Sequence, residues 1–372
     1  MQPYLGDDFG NPASASHVFG WRAEAAVEDA RGRLAAAIGA ADPEEIVFTS
    51  GTTESDNLAL LGIARAARGR RNHIVSVATE HPAVLDTCRA LEREGFAITL
   101  LPVDAQGLLD PDAVGRALCD ETLLVSVMAA NSEIGVLQPL AEIAALCRER
   151  EVLLHSDAAQ AVGKLPLSVE ELGVDLLSFC AHKLYGPKGV GALYLRRRRP
   201  RIRLAPLLHG GGQERGLRPG TLPVALIAGF ARAVELCAEE LPAEAARLRA
   251  LRDRLLEGLR ARVGGVQLNG HPERRLPGNL NVCFEGVRSD ALLARLHDVA
   301  CSSGSACASG KSEASHVLLA LGIGEERARS ALRFGLGRGT GEAEIDFALE
   351  RVALAVAAER RQPGAGLRAR AQ

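Results

Sequence analysis

Two periods of apolar and polar positions alternate along most of the chain. Short apolar runs rich in Val, Ile, Leu and Phe, each closed by Ser, Thr, Asn or Asp, read as buried strands. Longer stretches with apolar residues three and four positions apart read as amphipathic helices. In order they predict helix Trp21–Ile38, strand Glu45–Thr49, helix Ser55–Ala67, strand His73–Ala78, helix Ala83–Glu94, strand Ala97–Pro102, a helix near Pro111–Leu118, strand Thr122–Ala129, helix Leu140–Arg150, strand Val152–His155 and strand Asp175–Phe179. Strands alternating with helices predict an α/β domain whose mostly parallel sheet is covered on both faces.

The pattern changes further along. The run Arg196-Arg197-Arg198-Arg199-Pro200-Arg201 reads as a solvated loop after a strand, with a nucleic-acid contact as the other reading. His209-Gly210-Gly211-Gly212-Gln213-Glu214-Arg215 is a flexible loop, followed by Arg218-Pro219-Gly220-Thr221. A long helical stretch, Pro223–Arg262, carries an expected break at Pro242. Beyond it lie strand Leu280–Phe284, helix Asp290–His297, loop Cys301–Ser312, helix Ser315–Leu321, strand Ser330–Phe334 and helix Glu342–Glu359. These predict a smaller α+β domain. The expected organisation is a large domain over residues 9–240, a small one over 241–360 and a disordered tail over 361–372. There is no internal repeat.

In such a sheet, ligands bind beyond the carboxyl ends of the strands. Thr49, Thr79, Asn131, Asp157 and Cys180 fall at those ends and can converge despite their separation in sequence. Ser50-Gly51-Thr52-Thr53-Glu54, between a strand and a helix, admits two readings. One is a phosphate site at the positive end of the helix. The other is an ordinary capped helix. Asp157 and Lys183 carry the sharpest chemistry. Pyridoxal phosphate needs a lysine amine for its imine and an acid to keep its pyridine nitrogen protonated. Lysine occurs only at Lys164, Lys183, Lys188 and Lys311, and Arg supplies the remaining cations. Arg stays protonated and cannot form that imine. Lys164 and Lys188 read as surface residues.

Composition narrows the picture. With 372 residues, 47% of them hydrophobic, the chain can bury a core for two domains. A net charge of −2 argues against a dedicated nucleic-acid binder, and the few aromatic residues argue against base stacking. The eight cysteines form no CxxC pair, so no metal site is expected and most read as buried small hydrophobes. The opening run MQPYLGDDFG has neither the basic nor the apolar region of a signal peptide, and no apolar run is long enough for a membrane span. The expectation is a cytoplasmic protein with reduced thiols.

The runs FGNPAS, VFTSGTTESDNLA, EHPAVLDTCRALEREGF, SEIGVLQP, HSDAAQAVGKLP, AHKLYGPKGVGALY, HGGGQERG and CSSGSAC resemble those of the cysteine desulfurases of iron–sulfur cluster assembly. These are class V, fold-type I pyridoxal-phosphate enzymes. The resemblance extends from Phe9 to Val352 and implies a seven-stranded-type sheet in the large domain. It implies that Lys183 holds the cofactor, Asp157 pairs with the pyridine nitrogen and Gln160 bonds the ring's phenolic oxygen. His81 would stack on the ring and move protons. Thr52, Thr53, His182 and the residue at Cys180 would hold the phosphate, and Thr221 would reach the phosphate of a partner subunit in a homodimer. Asn131 and Ser132 fall where the family contacts substrate and cofactor, and Arg333 would clamp the substrate carboxylate. Cys307 would be the nucleophile in a mobile Ser/Gly loop. On its own residues, that segment equally reads as a buried Cys at a helix start. The implied reaction turns L-cysteine into L-alanine and leaves a persulfide on Cys307 for a protein sulfur acceptor.

Several positions depart from the family pattern. Its opening Ala-Thr-Thr-Pro-type strand does not occur before Pro3-Tyr4-Leu5. Ser132 replaces an Asn and lacks its amide donors, Cys180 replaces a Ser, and Pro219 replaces a Ser and lacks a backbone N–H. Two alternatives follow from these departures. One is another class V enzyme, an aminotransferase or selenocysteine lyase. The other is a degenerate, non-catalytic paralogue serving as a dimeric binding protein.

Overall fold

The structure is a computed structural model and describes residues 1–197, 201–303 and 314–361. The expected disordered tail from residue 362 and most of the loop Cys301–Ser312, with Cys307, lie outside the described residues. The first unit holds helix α1 (Val18–Ala37), strand β1 (Ile46–Thr49), α2 (Thr52–Ala66), β2 (His73–Val77), α3 (Pro82–Arg93), β3 (Ala97–Leu101), α4 (Pro111–Ala117), β4 (Thr122–Ser126), α5 (Leu140–Glu149), β5 (Leu153–Asp157), α6 (Val169–Leu172), β6 (Leu176–Cys180) and β7 (Gly191–Leu195). Helix α7 (Val224–Val263) passes from this unit into the next at Leu241.

The seven strands form one sheet in the order β1-β7-β6-β5-β4-β2-β3. β3, β2, β4, β5 and β6 run parallel, as the alternation of strands and helices predicts. β7 is antiparallel to both β6 and β1. A parallel return needs a crossover of a dozen or more residues, and the short link from Cys180 to Gly191 permits only the antiparallel one. β1, β2, β4, β6 and β7 are buried at every position. Helices on both faces leave such strands no solvent side, so they read as continuous apolar runs. Edge strand β3 is the exception, with exposed Ala97 and Leu100.

The second unit comprises residues 102–108, 131–137 and 242–372. Within its described residues lie β8 (Val266–Leu268), β9 (Asn279–Phe284), α8 (Ser289–Leu293), α9 (His316–Ala320), α10 (Glu325–Ala328), β10 (Ala331–Gly335) and α11 (Glu342–Arg360). β10, β9 and β8 form an antiparallel sheet. Leu251, Leu255 and Leu259 of α7, Leu280, Val282 and Phe284 of β9, and Ile345, Leu349 and Val352 of α11 belong to its core. The segment 131–137 belongs to this unit, so Asn131 and Ser132 do too.

Two local expectations are corrected. The break expected at Pro242 does not occur, because α7 runs through it. Proline leaves the carbonyl four residues earlier without its helical partner. That residue, Ala238, is exposed, as is Pro242, so water can take the bond. The helix expected over Asp290–His297 stops at Leu293. Strand β8 was not expected, since its three residues between Gly264-Gly265 and Asn269-Gly270 are too few to establish a period.

Candidate active site

The residues singled out by sequence fall into two groups, one in each unit. In the first unit, Asp157 ends β5 and Ser178 lies opposite it on β6. Two residues after Ser178 the strand ends, and the turn Ala181–Lys183 exposes Lys183. Asp157 is buried. One oxygen accepts the Ala159 N–H at 2.9 Å. Burial pushes its carboxyl up to about 6, against the pull of that N–H and of the Lys183 charge. In the cofactor-free chain the Lys183 charge and that N–H both draw Asp157 toward the ionised state.

His81 caps α3, with Pro82 at the first helical position. Its Nδ1 accepts the Ala83 N–H at 3.1 Å, which puts the proton of a neutral ring on Nε2. Gln160 accepts a 2.6 Å hydrogen bond from Lys164 Nζ at its carbonyl oxygen, orienting the amide. Lys164 is half-buried and engaged in this bond, not the plain surface residue expected. Cys180 is buried, with Sγ 3.9 Å from Nε2 of the exposed His182. Thr221 is exposed after Gly220, whose N–H donates to Gln213 at 2.8 Å.

Pyridoxal phosphate fits this group. Helix α2 starts at Thr52 after Gly51, and no side chain caps it. Glu54 instead turns back to accept from the Ser50 N–H and hydroxyl, and it also binds Arg218. The capped-helix reading of Ser50–Glu54 is thereby set aside. Thr52 Oγ1 is buried with no partner among the described residues, a costly state unless a ligand supplies one. A Cβ at Gly191 would lie 2.6 Å from Gly51 Cα, so β7 approaches this turn as closely as glycine allows. Uncapped N–H groups and an orphaned hydroxyl are what a phosphate requires.

In the second unit, the Asn131 side chain folds the loop that carries Ser132. Its Oδ1 accepts from the N–H groups of Glu133 and Ile134, at 2.8 and 2.9 Å. Arg333, on β10, donates to the Ser132 carbonyl at 3.0 Å. Its own backbone exchanges hydrogen bonds with Ser302, just before the segment that carries Cys307. The Ser132 contact uses the main chain, so Ser in place of Asn leaves it intact.

Several buried ionisable groups were missed by sequence reasoning. Glu133 faces Ser315 and Arg333, and burial pushes its carboxyl up to about 7. Glu80 accepts the Met128 N–H at 2.5 Å, and burial with the Asp157 charge pushes it well above the carboxylate range. Asp56 is raised in the same way. A signal for Asp56 existed: it shares a helical face with Ala59, Leu60 and Ile63, all buried.

The class-V aminotransferase family model matches residues 1–347. The chain belongs to this family of pyridoxal-phosphate enzymes. Over 350 residues, 94% of the chain, it is 51% identical to the cysteine desulfurase IscS of Rickettsia felis and covers 85% of that protein. It is 54% identical to the protein of the same name from Pasteurella multocida, covering 86% of it. A solved NifS-like protein superposes with a TM-score of 0.89 at 37% identity, over 96% of this chain and 94% of that one. DndA from Streptomyces lividans gives 0.78 at 42% identity, over 90% and 94%. Within the family, the chain groups with the cysteine desulfurases.

Proposed function

We propose that this chain is a pyridoxal-phosphate-dependent cysteine desulfurase that converts L-cysteine into L-alanine and leaves the sulfur as a persulfide on Cys307. Its similarity to enzymes of that name, over most of its length, carries the reading. The placement of Lys183 and Asp157 at the ends of adjacent strands supports it.

When bound, the cofactor supplies an electron sink at the substrate Cα. Lys183 holds the cofactor and, once released, takes the Cα proton. Asp157 keeps the ring nitrogen protonated, and Gln160 orients the ring through its amide. His81 offers its Nε2 proton, and the first turn of α2 with His182 binds the phosphate. Arg333, steadied by the Ser132 carbonyl, binds the substrate carboxylate as a charge-assisted pair. The Cys307 thiolate attacks the substrate sulfur. The S–S bond forms as the Cβ–S bond breaks, its electron pair stays on carbon, and a proton there completes the methyl group of alanine. The persulfide then passes to a protein acceptor.

The proposal extends to a homodimer in which the exposed Thr221 reaches the partner's phosphate, to a cytoplasmic location, and to a division at residue 240 between cofactor and small domains. No helix among the described residues is long and apolar enough to cross a membrane.

The test is the visible spectrum of the purified protein before and after L-cysteine, with alanine and sulfide measured under reductant. A yellow protein whose band shifts and which releases alanine, with sulfide lost in Cys307→Ala, is the expected result. A colourless protein that takes up no added cofactor sinks the reading. Keto-acid production in place of alanine points to an aminotransferase.

A further inference from the structure

A polar row crosses the large sheet, and the steps above do not use it. His155 lies on β5 two residues before Asp157. Its Nδ1 is 2.8 Å from the Ser126 hydroxyl on β4, and its Nε2 is 2.9 Å from the Ser178 hydroxyl on β6. Asp56, from α2, places a carboxyl oxygen 3.5 Å from the same Nε2. All four residues are 0% exposed. Both carboxyl oxygens of Asp56 are buried without a hydrogen-bond partner among the described residues. Burial holds the imidazole down to about 3, so this ring is neutral.

Asp56 thus has no hydrogen-bond donor on either oxygen and lies beside a neutral imidazole. It also faces Asp157, Glu80 and the Cys180 thiol. A buried carboxylate with no cation beside it is strongly disfavoured, and neighbouring buried carboxyls do not all ionise. Asp157 differs in having a backbone N–H and, in the cofactor-free chain, the Lys183 charge; with the cofactor bound, the protonated ring nitrogen would take that place. The geometry points to Asp56 as a neutral carboxylic acid that confines the negative charge of this cluster to Asp157, the group that meets the cofactor's ring nitrogen. Asp56 is therefore a positioning residue acting through Asp157. The inference rests on the pyridoxal-phosphate reading of the site. An ionised Asp56 would push Asp157 toward its protonated form and loosen its hold on the ring-nitrogen proton.

Isotope-edited infrared spectroscopy of the full chain, labelled with carboxyl-¹³C aspartate and carrying its cofactor, reads this state directly. At neutral pH the expected spectrum has a protonated-acid carbonyl band that is lost in Asp56→Asn. In Asp157→Asn the strongest like-charge neighbour is gone, and the midpoint at which that band converts to carboxylate moves down by about one pH unit or more. The second variant leaves Asp56 in place and decides the matter even if Asp56→Asn fails to fold. Absence of the band, or a midpoint indifferent to Asp157, overturns the inference. Failure to bind pyridoxal phosphate overturns the proposed function instead, and the same band is then read on the cofactor-free chain.

Discussion

Arg31 and Glu214, 183 residues apart in the chain, meet in a two-bonded buried ion pair. The bonds are 2.9 and 2.8 Å long. Glu214 also accepts the Phe48 N–H at 2.7 Å, and Arg31 donates to the Ile46 carbonyl while its guanidinium lies 4.7 Å from the Phe48 ring centre. The pair ties α1 and β1 to the loop that leads to Thr221. Glu214 and Arg215 have φ of +48° and +56°. Such left-handed residues cost about 1–3 kcal/mol each and persist only where their surroundings fix them. Glu214→Ala would leave the buried Arg31 with only the exposed Glu28 as an acidic partner, at about 3 kcal/mol. Urea unfolding should register that loss. A midpoint equal to wild type would mean that the loop is held by other contacts.

Lys183→Ala should lose the visible band after gel filtration, because no other lysine occupies the strand end beside Asp157. Turnover should fall by about 10²–10⁴-fold or more, the usual worth of a positioned proton carrier. A variant that kept both colour and rate would remove Lys183 from the mechanism.

Arg333→Gln removes the proposed charge-assisted bond to the substrate carboxylate, worth about 1.5–3 kcal/mol. The expected signature is a KM for L-cysteine raised by about 10–100-fold, with cofactor absorbance retained. Loss of the cofactor with an unchanged KM would assign Arg333 to the scaffold.

Glu133 carries a pH dependence of defined sign. Its folded carboxyl is raised from 4.5 to about 7, so the folded state binds a proton more tightly than the unfolded chain. Stability from this residue is present below about 4.5 and falls as pH rises toward 7. The shift corresponds to about 3 kcal/mol. Glu133→Gln, which keeps the shape and cannot ionise, should therefore gain thermal stability relative to wild type above pH 7 but not near pH 5. Equal differences in Tm at both pH values would exclude the ionisation as the cause.

Much of the fold was legible because its signals are local. Apolar runs closed by small polar residues placed the parallel strands, and Ser50–Glu54 between β1 and α2 marked the helix start proposed to hold phosphate. What stayed illegible depends on contact. Pro242 reads as a helix breaker, yet its exposed neighbours let α7 continue. Lys164 reads as surface, yet it binds Gln160. Glu80 and Glu133 look like ordinary surface charges in sequence, and only the elements packed around them deprive them of water.

The sequence by itself determined the alternation that forces a parallel sheet, the strand ends where chemistry gathers, and the lysine and carboxylate at two of those ends. These follow from periodicity and residue type, which each segment carries alone. Only the tertiary structure decided which carboxyls lie buried beside Asp157, which carbonyl steadies Arg333, and which guanidinium holds the strained loop at Glu214. A charge state depends on what excludes water and which charges stand near, and residues far apart in the chain supply both.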